Sequence, residues 1–274
     1  MSQASSHQPL ASALPRPLDF AYPSNRWAAA GLGLGILTAK VLGHSWPGSL
    51  RIGLGTFSSW AIARELDPDV SDTALAAMPL AFLALLARPS STEAHQAEPL
   101  SSLRHALPAF TALSSTRTLA ATVGVKTSPQ DAAALGVQAA LSALSSGHVV
   151  SLMPSAALTW SSEFEDDFSA PPLSGVAVAA AGALPTSATG AGSSVLSDLL
   201  SLAALGLGAQ LTAPERISSR CDEVPTLVSS QRVRAARLLS LGTLGLALLR
   251  RETLALAPLA AACISVGARR AFKR

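Results

Sequence analysis

From Ala132 to Ser162 the chain carries no Asp, Glu, Lys or Arg. A water-soluble domain spends roughly a quarter of its residues on charge, so a run of that length sets tight limits on what surrounds it. The same scarcity extends through the chain, where 14% of 274 residues are charged, 49% are hydrophobic and 4% are aromatic. The apolar share comes mainly from Ala, Leu and Val, residues suited to thin, closely packed helices rather than to an aromatic core. These features predict an all-α fold: a polytopic membrane bundle of about six to eight transmembrane helices, with no β-sheet.

The expected spans lie near 27–43, 49–64, 73–88, 105–125, 136–159, 195–213, 235–250 and 253–268. The second and fourth are the weakest, one because Arg51 and Arg64 bound it closely, the other because Pro108 and Arg117 interrupt it. An arginine at that depth either faces the bundle or holds its helix at the interface. Gly136 to Trp160 is long enough to cross with some tilt and a kink at Pro154. Residues 171–194 are uncharged but broken by Pro171, Pro172 and Pro185, which favours a loop or re-entrant piece over a span. Residues 1–25 lack the basic-then-apolar order of a signal peptide and read as a disordered tail. The helical membrane domain then covers 26–268, with loops at 89–104, 160–194 and 214–234, and a basic tail at 269–274.

Charge is unevenly distributed: net +1 over residues 1–90, −5 over 91–212 and +7 over 213–274. With Lys and Arg on the cytoplasmic side, a multi-pass protein of the cell (plasma) membrane is expected, both termini inside and the acidic loop of Glu163, Glu165, Asp166 and Asp167 outside. The expected partners are the lipid bilayer and either a second copy or another membrane protein. Nucleic acid is not expected, because no basic and aromatic interleaving accompanies the basic tail. Cys221 and Cys263 have no CxxC or HxxxH context, so neither a disulfide scaffold nor a zinc site is expected.

The densest polar string is Arg64, Glu65, Asp67 and Asp69, with Asp72 following. It reads either as a set of turn and helix caps or as an ion or headgroup site. As a calcium loop starting at Asp67 it fails, since Asp72 stands at the glycine position and Met78 at the twelfth. Lys40, His148 and Asp198 are candidate intramembrane polar groups; Lys40 either snorkels or pairs with Glu65, Asp67 or Asp198. Gly31 and Gly35 share a helix face and favour close helix packing. Signatures of hydrolases, metalloproteases and nucleotide-binding loops are missing, so no catalytic residue, metal or cofactor is assigned. The expected role is non-catalytic, as a small-solute or ion permease or a partner in a membrane complex. The alternatives are a membrane-embedded Mg-dependent enzyme acting on lipid or isoprenoid headgroups, and a soluble Ala-rich helical interaction protein.

Overall fold

A computed structural model describes residues 12–87, 99–184 and 192–272, with only the backbone described at 99–105. The described residues are all-α, as the sequence predicts: they contain no strand, only an isolated antiparallel bridge between Arg220 and Leu227.

Local signals set the helix limits. α1 (Pro23–Val41) opens on a proline, whose missing N–H is not needed in a first turn. α2 (Trp46–Leu66) is capped by the Ser45 hydroxyl, which accepts from Gly48 N. α3 (Ser71–Leu86) and α4 (Pro99–Ala120) follow. α5 (Pro129–Ser146) has a reciprocal capping box of Ser128 and Asp131. It stops at Gly147, whose φ of 115° favours glycine; a Cβ there would lie 2.6 Å from the Glu252 carboxylate.

Beyond Gly147 come the single turn α6 (His148–Ser151) and then α7 (Met153–Ser162). The expected continuous crossing over 136–159 is therefore split into separate helices, and the break falls at Gly147 rather than Pro154. Pro154 sits in the first turn of α7, where it is tolerated. The short α8 (Ser174–Gly182) packs back on α5 and α7. α9 (Val195–Gly206), α10 (Gly208–Thr212), α11 (Ser230–Arg250) and α12 (Ala257–Phe272) complete the chain.

α2 lies at the centre, packed on α1, α3, α4 and α12, while α4 also holds α5, α7 and α11. The two weakest expected spans are thus the two central helices. Their low hydropathy comes partly from buried hydroxyls that bond to their own helix: Thr56 to Ile52 O, Ser115 to Thr111 O, Thr116 to Ala112 O. Small residues let these helices approach closely. A Cβ on Gly35 would lie 3.5 Å from Gly53 Cα, and one on Gly31 only 2.3 Å from the Met78 methyl. Among the described residues one helical stretch, Leu254–Phe272, is long and apolar enough to cross a membrane by itself, and 72% of its apolar window is buried in the bundle.

The turns at 67–70, 121–128, 163–173 and 213–229 meet at one end of the bundle, here the polar end. The acidic loop is part of it, because Asp166 pairs with Arg232 at the start of α11 at 2.6 Å. This corrects the expected topology, in which the acidic and basic loops face opposite sides. Of the expected N-terminal tail, residues 1–11 lie outside the described residues. Residues 12–22 are non-helical yet fixed in place, with Ala13 buried and Arg16 paired to Asp222. The linker expected at 89–104 lies largely outside the described residues, but from Pro99 it is already helix α4.

Candidate functional site: the polar end of the bundle

The string that ends α2 is used residue by residue to join other elements. Leu66 O accepts from Arg237 Nε and Nη2 at 2.8 and 2.5 Å. Asp67 receives Arg269 on both oxygens, Nη2 at 2.9 Å from Oδ1 and Nε at 2.8 Å from Oδ2. Pro68 O accepts from the Ser219 hydroxyl, and Asp69 from the backbone N–H groups of Ser218 and Ser219. One turn between α2 and α3 thereby anchors α11, α12 and the 213–229 loop.

Glu65, in the last turn of α2, is fully buried. Arg117 Nε donates to its Oε1 at 2.8 Å, Arg16 Nη1 lies 3.5 Å from the same oxygen, and the Thr122 hydroxyl donates to Oε2. Arg117 therefore faces the bundle. Arg64 donates to Asn25 Oδ1 at 2.9 Å and stacks 5.5 Å above the Trp60 ring. A third junction joins Arg232 to Asp166 through two hydrogen bonds of 2.7 and 2.6 Å, with Arg232 Nη1 donating to Leu119 O and Ser161 Oγ. Glu215 holds Arg237 and Arg270 together.

Environment sorts the loop carboxylates. Burial pushes Asp67 above the usual carboxylate range against the opposing pull of Arg269. For Asp69 burial also acts upward, but the bonds from Ser219 and Ser218 outweigh it and hold the group low. The hydrogen bonds from Arg232 hold Asp166 low. Burial, then the Asp222 charge, raises the Cys221 thiol, which disfavours the reactive thiolate.

The remaining expected site residues lie elsewhere. Asp72 is exposed in the first turn of α3, and the cap position there is Val70. Lys40 sits at the other end of α1, where Nζ donates to His44 O at 3.3 Å and lies 5.4 Å from the Trp46 ring. Of its two readings, this leaves out pairing with Glu65 or Asp67, which lie at the polar end. His148 follows the Gly147 break instead of lying mid-helix. Asp198, in the first turn of α9, accepts from the Thr253 hydroxyl at 2.5 Å. Near that end a cavity of about 80 Å³ is lined by Arg51, Ser145, Ser146, Ala106 and Leu254 among others.

Sequence reasoning missed the partners: Arg16, Asp166, Glu215 and Asp222, and the pairing roles of Arg232, Arg237, Arg269 and Arg270. The charge gradient signals one of these pairs, Arg232 of the basic end with Asp166 of the acidic middle; Glu215 pairs with arginines of its own basic region, and Arg16 and Arg269 pair with Asp222 and Asp67. Among the described residues no group of three or more His, Cys, Asp or Glu is placed to hold a metal. Glu65, Asp67 and Asp69 each face a different set of partners. No protein-family model, curated protein or solved structure matches the chain.

Proposed function

We propose that the chain is a multi-pass integral protein of the cell membrane, with about six to eight spans, acting without catalysis as a helical partner in a membrane assembly. The observation that carries this reading is how exposed side chains are distributed along the helices. Midway they are aliphatic: Leu34 and Leu37 on α1, Val137 and Leu141 on α5, Leu199 and Leu202 on α9, Leu246 on α11. Exposed aromatics stand near helix ends, with Phe20, Tyr22 and Trp27 at the polar end and Trp46 at the other, as interfacial belts require. The charge-free stretches between Arg26 and Lys40, Arg51 and Arg64, and Arg237 and Arg250 are each about 20 Å long at 1.5 Å per residue. The exposed stems of Arg26 and Arg250 at the rims extend the first and third of these toward the ~30 Å of a hydrocarbon core.

The assembly role is favoured because the polar-end carboxylates are engaged in joining helices and loops. Headgroup chemistry would need Asp67 and Asp69 to share a metal; Asp67→Asn with Asp69→Asn is expected to change stability without abolishing any phosphotransfer. The cavity beside Arg51, Ser145 and Ser146 favours a permease as the second reading. Alkaline carbonate extraction followed by solute flux from reconstituted vesicles separates these readings. Retention in the pellet with no flux supports the assembly role, retention with flux supports the permease, and release into the supernatant supports a soluble interaction protein.

A further inference from the structure

The described N-terminal segment has the geometry of a captured ligand. Residues 12–16 read Ser-Ala-Leu-Pro-Arg and form no helix. The Ser12 hydroxyl donates to Asp131 Oδ1, and Ala13 N donates to Asp131 Oδ2 at 3.2 Å. Leu14 O accepts from Arg117 Nη1 at 2.6 Å. The Leu14 side chain packs on the apolar cluster of Leu135, Leu158 and Val178. Arg16 reaches Asp222 at 2.6 Å and Glu65 at 3.5 Å. The backbone is thus recognised by α5 and α4, the apolar anchor by α5, α7 and α8, and the charged end by α2 and the 213–229 loop. Two of the receiving groups also have partners outside the segment. Asp131 is fixed by its capping box with Ser128, and Arg117 by Glu65.

We infer that the polar end carries a groove for a short non-helical peptide of the pattern hydroxyl, small, Leu, Pro, Arg, bent at its second and third positions and filled in cis by residues 12–16. The same groove accepts that sequence in trans when the cis segment is displaced. The cluster of Leu135, Leu158 and Val178 selects an apolar side chain, and the Glu65 and Asp222 carboxylates select a cation two positions on. Pro17, Leu18 and Asp19 are exposed and form a short tether to α1, so the cis segment competes at an effective concentration on the order of millimolar. A free peptide therefore binds the intact chain poorly.

The test uses the full chain and a fluorescent peptide of residues 10–18. Arg16→Glu places a third carboxylate beside Glu65 and Asp222 and releases the cis segment. That variant is expected to bind the peptide at least about tenfold more tightly than the unaltered chain, within the gain that tethering supplies. A peptide carrying Leu14→Asp is expected not to bind it. Equal binding by both chains, or equal binding of both peptides, overturns the inference. Should Arg16→Glu not fold, amide exchange on the unaltered chain decides. Ala13 is expected to be protected and to lose that protection as peptide is added at millimolar concentration. No protection, or protection that peptide leaves unchanged, overturns it.

Discussion

The polar end and the middle of the bundle solve the same problem with opposite means. In the middle, helices meet through Ala, Gly and hydroxyls that bond to their own backbone, so nothing polar crosses between most helix pairs. At the polar end, arginines cross between elements and are themselves buried; Arg232 and Arg237 are 0% and 1% exposed. Each brings a charge out of water, which is compensated only while every partner is present. The middle should therefore tolerate loss of polar atoms and resist added volume, whereas the polar end should be intolerant of losing a single partner.

Arg117→Leu gives the largest expected effect. It leaves Glu65 buried with Arg16 at 3.5 Å and the Thr122 hydroxyl, a loss of about 3–5 kcal/mol. Unfolding followed in detergent measures it, and adding Glu65→Leu should recover part of the loss. Gly53→Ala comes next. Its Cβ would lie 2.4 Å from Ile36 Cγ1 and 3.0 Å from Leu32 O, and such overpacking costs about 1–3 kcal/mol. The pH dependence ranks third. Asp166 is held below its ordinary value by Arg232, so its contribution is complete above the ordinary carboxylate pKa and is lost as pH falls through the folded value. Asp166→Asn should flatten the acid limb of a stability against pH curve. The smallest effect belongs to Ser115→Ala. Its hydroxyl bonds only its own helix, so the expected change is below about 1 kcal/mol; a larger loss would remove the contrast between the two regions.

What the sequence disclosed followed from local rules. The all-α class came from composition and periodicity, and the approach of α1 to its neighbours is visible in the spacing of Gly31 and Gly35. Arg64 to Asp69 stood out as the densest polar string, and it is the turn from which the polar end is built. What stayed hidden was tertiary. Arg16, Asp166 and Asp222 are ordinary surface residues in any local window, and only the fold sets them beside Glu65 and Arg232. The sequence undervalued α2 and α4 because Arg51 and Arg64 shorten one apolar run and Pro108 and Arg117 interrupt the other, whereas in the fold Arg117 is matched by the buried Glu65. The charge gradient was read as membrane sidedness, whereas the pairing of Asp166 with Arg232 sets the acidic loop beside the basic one.

Sidedness is the most direct measurement. Single cysteines at Glu165, Arg216 and Arg251 in sealed, carbonate-washed vesicles would be labelled with a membrane-impermeant maleimide. In a bundle embedded as proposed, Glu165 and Arg216 label together from one side and Arg251 from the other. Labelling of Glu165 and Arg216 from opposite sides, or loss of the protein from the vesicles in carbonate, would contradict it.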